Sequence, residues 1–279
     1  MSVPDSPSPE AARLAVRHRL GRLDHTFAPA KELDVREGLR GLFLAGSLLG
    51  VACLATGGVL LGVHVSWAFG LYPLAVAVLG AGALVNSPNV RKGLGGRRLY
   101  LFEAGLVVDM GRGRLFAVRW DQAVLYQETV RHVIRYKDTE APWGSTHAST
   151  LVAPGGARIQ ISDFFAGHGT WAPLISEAVA RAQAPRVWQS VREGRRAAHG
   201  PFVLDVTGVA AGRGGVLPWP EVEAIDVHQG VVVVRRRGHP GTWASVQSRT
   251  VPNLLAFLTV ASNLRSGATD ATDVTDVTG

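Results

Sequence analysis

The sequence has very little cysteine and very little lysine. Its 279 residues include one cysteine, Cys53, and three lysines. A lone cysteine excludes a disulfide-stapled scaffold and a zinc site built from cysteine pairs. Arginine therefore carries nearly all of the positive charge, with 29 basic residues set against 22 acidic ones.

Charge is missing altogether from residues 41–90, which contain no Asp, Glu, Lys or Arg. A single helix of that length would be roughly 75 Å long, whereas one bilayer span needs about 20 residues. The block therefore predicts two transmembrane helices, over residues 42–63 and 67–85, joined by a short turn. Its length and its start some 40 residues into the chain are not typical of a cleaved signal peptide. The alternative, a buried helical hairpin of a soluble protein, would require more apolar burial than a small domain provides.

Basic residues stand on both sides of this block and are absent from the turn inside it. They are Arg36, Arg40, Arg91, Lys92, Arg97 and Arg98. By the positive-inside rule, we expect a protein of the inner (plasma) membrane with two spans and with both termini in the cytoplasm.

Small residues recur along one row of the first predicted span, at Gly46, Gly50, Gly58 and Gly62. Such a row lets two helix backbones approach closely. We expect it to pack the first span against the second, and the alternative is self-association into a homodimer.

The segment before the block begins with a helix-start pattern, Ser8-Pro9-Glu10. Serine is a good N-cap and proline is well tolerated at the first helical position. The pattern predicts a helix to about Leu20, ended by Gly21. We expect this helix to pack on the cytoplasmic part, and the alternative is a basic helix on the inner leaflet.

Residues 99–265 contain a weak internal duplication. In each copy a glycine is followed by a tryptophan: Gly105 by Trp120, and Gly208 by Trp219. Each copy then has short alternating runs and an apolar-periodic helix, over residues 170–182 and 251–264. Alternating runs with glycine-rich turns predict a small antiparallel barrel. Residues 137–148 are predicted to form a mobile loop. We expect both tryptophans to lie in the core, with a ligand groove as the alternative.

The order of these parts resembles the bacterial PH-like pattern. With Arg19-Leu20-Gly21 before the hairpin and Tyr100-Leu101-Phe102-Glu103-Ala104-Gly105-Leu106 after it, the chain is similar to the actinobacterial membrane proteins grouped as DUF6585. The resemblance covers residues 19–265. The DUF6585 family has no established activity to carry over, whereas the PH-like resemblance implies binding of lipids, peptides or proteins rather than catalysis. The bias toward Ala, Gly, Val and Arg is typical of a GC-rich genome and agrees with an actinobacterial origin.

The predicted fold is a membrane α-helical hairpin joined to an α+β, mainly β part, in which two PH-like small barrels are each closed by a C-terminal helix. Five segments follow from this interpretation. They are a cytoplasmic segment with a short helix (1–40), the hairpin (41–90), two PH-like domains (91–185 and 186–265) and a tail (266–279). The tail repeats Ala-Thr-Asp and Val-Thr-Asp, has few bulky apolar residues and is predicted to be disordered.

Two arginine clusters are candidate binding sites. Arg235, Arg236 and Arg237 end a valine-rich strand, and Arg195 and Arg196, with Arg192, lie between the two copies. Because guanidinium groups bind phosphate well, anionic lipid head groups are the candidate ligands. The alternative is a solvated strand end that discourages pairing. The nine histidines form no metal-binding pattern, so we expect no metal and no cofactor.

No catalytic constellation is present, and we do not expect an enzyme. We expect a membrane-anchored binding or scaffold protein that presents its PH-like domains to the cytoplasm. Its partners would be the bilayer, anionic lipid head groups, or a membrane or cytoplasmic protein. The alternative is a non-catalytic subunit of a larger membrane complex, and a membrane enzyme ranks last. The basic excess follows the apolar block without interleaved aromatics, so it indicates a membrane surface rather than nucleic acid.

Overall fold

The computed structural model describes residues 6–30, 37–87, 90, 94, 96–136, 139–212 and 215–276. Its five longer helices are α1 (Pro9–Arg17), α2 (Glu37–His64), α3 (Trp67–Val85), α4 (His168–Arg192) and α5 (Leu254–Asp276). The remaining regular structure is β-sheet, arranged in two units of the same design.

The first unit has a four-stranded and a three-stranded antiparallel sheet, followed by α4. The four strands are β1 (Leu23–Phe27), β2 (Arg98–Phe102), β3 (Gly105–Asp109) and β4 (Leu115–Arg119). The three strands are β5 (Val124–Tyr136), β6 (Thr139–Val152) and β7 (Arg158–Ser162). Both sheets are simple meanders in which each strand pairs with the next one along the chain.

The second unit repeats this order and ends in α5. Its first sheet contains β8 (Ala197–His199), β9 (Phe202–Leu204), β10 (Gly208–Ala211) and β11 (Val216–Pro218). Its second sheet contains β12 (Val222–His228), β13 (Val231–Arg236) and β14 (Thr242–Gln247). In both units the two sheets are hydrogen-bonded separately, so neither forms the closed barrel that the sequence predicts.

Strand β1 comes from the segment before the apolar helices, yet it belongs to the first sheet. It pairs antiparallel with β2, with Phe27 opposite Leu99 and Thr26 opposite Tyr100. Helices α2 and α3 are therefore inserted between two neighbouring strands of one sheet. As a result, the chain leaves for the helical hairpin and returns from it at the same end of that sheet.

Helix α1 covers the outer face of this sheet. The Ser8 hydroxyl accepts a hydrogen bond from the Ala11 N–H at 3.2 Å, which caps the helix start. Ala11 and Ala15 are buried against Tyr100 and Phe102. The helix therefore packs on the first unit, as expected, and it ends at Arg17, three residues before the predicted end at Leu20.

Each tryptophan that follows the glycine makes the same pair of hydrogen bonds. Trp120 Nε1 donates to the Phe102 carbonyl at 3.0 Å, and Trp219 Nε1 donates to the Asp205 carbonyl at 2.9 Å. The backbone N–H of each tryptophan donates to the carbonyl just before the glycine, at 3.0 and 3.2 Å. Both indoles are buried, so the core interpretation of the tryptophans agrees with the structure.

The two glycines are required for the same reason. A Cβ atom on Gly105 would lie 2.4 Å from the Val118 carbonyl oxygen, and one on Gly208 would lie 2.1 Å from that of Leu217. Val118 and Leu217 each stand two positions before their tryptophan. The duplication seen in the sequence therefore extends to matched backbone contacts.

The predicted loop at residues 137–148 is wrong for residues 139–148, because β5 and β6 pair in one long antiparallel ladder from Val124 and Val152 to Tyr136 and Thr139. Residues 137–138 lie outside the described part of the chain. Pro142 and Gly144 look like strand breakers in the sequence. In the ladder His132 lies opposite Gly144 and Val133 opposite Pro142, so residue 143 forms a bulge. A bulge is one of the few places where a strand accepts proline.

The two units contact each other through the start of α5. Asn253, which has a left-handed backbone with φ of 52°, donates its N–H to the Leu125 carbonyl at 2.8 Å. Its side-chain oxygen accepts from the Leu125 N–H at 2.7 Å, and its amide donates to Gln183 Oε1 at 2.8 Å. Arg249 and Glu128 add an exposed ion pair at 3.1 Å. Asn253 thus pairs with Leu125 on the edge of β5 that no strand of its own sheet occupies.

Helices α2 and α3 are long and apolar enough to cross a membrane. The apolar segments are Leu44–His64 and Trp67–Val85, of which 6% and 11% are buried within the chain. The structure agrees closely with the predicted spans. Arg36, Arg91 and Lys92, on which the predicted orientation depends, lie outside the described residues.

Helix α5 continues to Asp276, through most of the segment whose composition predicts disorder. Residues 277–279 lie outside the described part of the chain.

Candidate functional site

The predicted cluster at Arg235, Arg236 and Arg237 lies at the end of β13. Arg235 forms an ion pair with Asp226 at 2.7 Å, and Arg236 forms one with Glu221 at 2.7 Å. Arg237 is exposed, and its backbone N–H donates to the Glu221 carbonyl. Two of the three guanidinium groups thus have carboxylate partners within the same unit, on β12 and in the turn before it.

The second predicted cluster follows the end of α4. Arg196 pairs with Asp205 at 3.0 Å, and Arg195 pairs with Glu193. The Arg192 guanidinium lies over the Trp188 ring, 4.8 Å from its centre. A hydrogen bond from the Thr207 backbone N–H, aided by Arg196, holds the pKa of Asp205 below its ordinary value. Among the described residues, no hydrogen bond or ion pair connects this cluster with Arg235–Arg237, and a binding role for either stays a prediction.

The glycine row of α2 divides into two halves. Gly58 and Gly62 pack on Gly70 of α3, where an added Cβ would lie 2.4 Å from the Gly58 carbonyl oxygen. Gly46 and Gly50 have open space where a Cβ would project. One half of the row therefore contacts α3, and the other half faces away from the rest of the described chain.

A cleft of about 240 Å³ lies at the end of the first sheet away from the hairpin, beneath Trp120 and against α4. Its polar lining centres on Asp121, which pairs with Arg119 at 3.0 Å and Arg186 at 3.4 Å. Burial alone would raise the pKa of Asp121, but these two arginines outweigh it and hold the pKa below its ordinary value. The carboxylate of Asp121 is thus already engaged by two arginines, so this group offers little unpaired charge to a ligand.

A third arginine group, whose members come from two separate segments of the sequence, lies at the opposite end of the first sheet. Arg97 immediately precedes β2, and Arg112 and Arg114 lie in the turn between β3 and β4. Burial lowers the pKa of Arg97, and the positive charges of Arg114 and Arg112 lower it further. The Arg97 side chain also donates to the Met110 carbonyl at the start of this turn, so the three arginines lie together at this end of the sheet. We call them the juxtahelical arginines, because this end of the sheet is the one from which the apolar hairpin leaves.

The sequence contained half of this signal. Arg97 is one of the basic residues that flank the apolar block, whereas Gly111-Arg112-Gly113 forms the tip of the hairpin between β3 and β4. Only the antiparallel register of β2 and β3, in which Arg98 lies opposite Asp109, brings the two sequence segments together.

Among the described residues, no group of three His, Cys, Asp or Glu side chains could hold a metal ion.

The model of the family described as "Family of unknown function (DUF6585)" matches residues 11–269. The chain belongs to this family. The match confirms the DUF6585 resemblance, while the PH-like pattern and the actinobacterial origin stay predictions. No curated protein and no solved structure matches the chain.

Proposed function

We propose that this DUF6585 protein is a membrane-anchored binding or scaffold protein of the inner membrane. Its helical hairpin crosses the bilayer twice, and its two units lie together in the cytoplasm and bind a protein, a peptide or anionic lipid. We assign it no catalytic role.

The observation that carries the proposal is the exposure of α2 and α3. Only 6% and 11% of their apolar segments are buried within the chain, whereas a core helix of a soluble protein is mostly buried. Trp67 is 74% exposed and Tyr72 is 78% exposed near the turn of the hairpin. Large exposed apolar surfaces require a covering, and aromatic residues favour the bilayer interface.

The insertion of the hairpin supports the proposed topology. Because Phe27 pairs with Leu99, the two ends of the hairpin return to one folded unit. A chain cannot pair these strands while its two flanks lie on opposite sides of a bilayer. We therefore place both flanks on one side of the bilayer, and the basic residues at the ends of the hairpin favour the cytoplasm.

The element order supports PH-like units. Each unit has four strands, then three strands, then one helix, with the glycine and tryptophan at matched positions. We interpret both as PH-like binding modules. Tethering them to the membrane raises their effective concentration there, so weak contacts suffice for function.

Cysteine labelling tests the topology in the full chain. In a Cys53→Ser background, single variants Ser66→Cys, Val16→Cys and Val206→Cys would be treated in spheroplasts with a membrane-impermeant maleimide. We expect Ser66→Cys to react in intact spheroplasts and the other two variants to react only after the spheroplasts are lysed. Labelling of Val16→Cys or Val206→Cys before lysis, or carbonate extraction of the unmodified chain from membranes, would overturn the proposal.

A second candidate function is that of a non-catalytic subunit in a larger membrane complex. The open face at Gly46 and Gly50 favours it, because small residues let a further helix approach closely. Crosslinking in native membranes separates the two candidates. A product of fixed larger mass that disappears in Gly50→Leu supports the complex, whereas a crosslinked pattern unaffected by Gly50→Leu refutes a helix partner at this face.

A further inference from the structure

The juxtahelical arginines are held by the fold rather than free to disperse. Arg97 Nε donates to the Met110 carbonyl at 3.1 Å, and the Arg97 guanidinium lies 5.1 Å from the centre of the Phe164 ring. Met110 is also the first residue of the turn that carries Arg112 and Arg114. One backbone carbonyl thus fixes the position of Arg97 against the other two arginines.

The turn itself is well defined. The Met110 N–H donates to the Arg114 carbonyl at 2.9 Å, and the Gly111 N–H donates to Asp109 Oδ1 at 2.7 Å. Gly111, Arg112 and Gly113 all have left-handed backbones, with φ of 73°, 59° and 73°. A non-glycine residue in this region is uncommon. The turn therefore holds exposed Arg112 and Arg114 next to Arg97.

Few negative charges offset this group. Asp109 is engaged by the Gly111 N–H and by the Ser8 hydroxyl at 3.4 Å. The Glu10 carboxylate is near the turn, with Oε2 4.0 Å from where a Cβ on Gly113 would lie. Among the described residues, no ion pair joins any juxtahelical arginine to a carboxylate. The two predicted clusters differ in this respect, because most of their arginines are paired.

The hairpin keeps this group close to the bilayer. Between Val85, the last residue of α3, and Arg97 the chain has only residues 86–96, which at full extension would span about 40 Å. Two backbone hydrogen bonds shorten this connection. The Val90 N–H donates to the Ser87 carbonyl, and the Arg97 N–H donates to the Leu94 carbonyl. The returning chain thus reaches the arginines directly after leaving the apolar helix.

We propose that Arg97, Arg112 and Arg114 bind the phosphate of an anionic phospholipid in the bilayer that the hairpin crosses. The proposal rests on the proposed membrane placement of α2 and α3. Guanidinium groups bind phosphate through paired, charge-assisted hydrogen bonds. A phosphate would also relieve the mutual repulsion of three neighbouring cations. The negative surface potential of the cytoplasmic leaflet supplies such groups at the end of the sheet where the hairpin leaves.

The test uses the full chain in nanodiscs of phosphatidylcholine with rising fractions of phosphatidylglycerol. Hydrogen exchange of residues 110–114 is the readout. We expect protection to rise with phosphatidylglycerol, and the variant Arg112→Gln/Arg114→Gln to need about 30-fold more of it, from about fivefold per arginine. The matched control, Arg158→Gln/Arg181→Gln, removes the same charge from exposed positions of the same unit. We expect it to behave as the unmodified chain.

Three outcomes overturn the proposal. An equal loss of hydrogen-exchange protection in both double variants would indicate diffuse electrostatic attraction to the membrane instead of a specific binding site. Protection by inorganic phosphate in pure phosphatidylcholine discs would assign the site to a soluble phosphate. Protection that does not respond to phosphatidylglycerol would remove the site, while stable incorporation of the chain into discs would leave the membrane anchor standing. Unchanged exchange of β10 in each variant serves as the folding control.

Discussion

Substitution of Asn253 tests the contact between the two units directly, because the Asn253 side chain bonds to both Leu125 and Gln183 of the first unit. We consider Asn253→Gly, since glycine adopts the left-handed backbone of this position without strain and the change therefore removes little except the amide. The Leu125 N–H, on a residue that is 2% exposed, loses its acceptor. Gln183 Oε1 loses its donor, while Gln183 still donates to the Trp120 and Ala123 carbonyls at 2.7 and 2.8 Å.

The magnitude follows from these two orphaned groups. A buried polar group left without a partner costs about 1–3 kcal/mol. We therefore expect Asn253→Gly to lower the free energy of unfolding by about 2–6 kcal/mol. Asn263→Gly is the matched control, because Asn263 is exposed on the same helix and the change costs only a few tenths of a kcal/mol in helix propensity.

Denaturant unfolding of the full chain in detergent measures the free energy, and hydrogen exchange of the Leu125 amide measures the contact itself. We expect this amide to exchange much faster in Asn253→Gly and to stay protected in Asn263→Gly. Equal stabilities for the two variants, or a Leu125 amide protected in both, would refute the claim that Asn253 closes the edge of β5.

Three further predictions concern glycines and a histidine. Gly208→Ala should destabilise the second unit by several kcal/mol, because its Cβ would meet backbone at 2.1 Å, whereas Gly155→Ala, with open space around it, should be nearly neutral in thermal unfolding. Gly70→Val should separate the two apolar helices, so a disulfide engineered between them should form slowly. Gly46→Val should leave the rate of disulfide formation unchanged, and a slower rate in that variant would mean that the helices pack differently. Burial lowers the pKa of His199 despite a hydrogen-bond contact with the Pro252 carbonyl. Its contribution to stability is therefore complete above the unfolded pKa of about 6.5 and is lost as pH falls from there toward the folded value. A His199→Gln variant with the same pH profile of stability would contradict this assignment.

The features that sequence predicts well here are those set by local chemistry. The apolar spans follow from the absence of charge at residues 41–90, and α3 agrees with its predicted bounds. The Ser8 cap requires only neighbours in the chain. The glycine and tryptophan of each unit can be recognised in the sequence because each position accepts one residue type. Glycine is needed where a Cβ atom would clash with backbone, and tryptophan is needed where a large indole is buried.

The features that sequence could not supply depend on distant pairing. No local pattern shows that β1 joins β2 across the hairpin, because its five residues, Leu23–Phe27, are only partly buried and alternate weakly. Proline and glycine in β6 resemble loop residues until the opposite strand provides a bulge. Arg235 and Arg236 look free in sequence, since their partners Asp226 and Glu221 lie on the facing strand and in the turn before it.

The placement of α2 and α3 within a sheet has a consequence for biosynthesis. Arg22 and Glu103, which contact each other beside the β1–β2 pair, are 81 positions apart, so the first strand leaves the ribosome long before its partner. Closing so long a loop is entropically costly for a flexible chain, but in the membrane topology that we propose the two inserted helices would reduce it to a pair of short tethers. Insertion of the hairpin would then favour completion of the first sheet, and a nascent chain that failed to insert would more often expose an unpaired β2 edge to quality-control proteases.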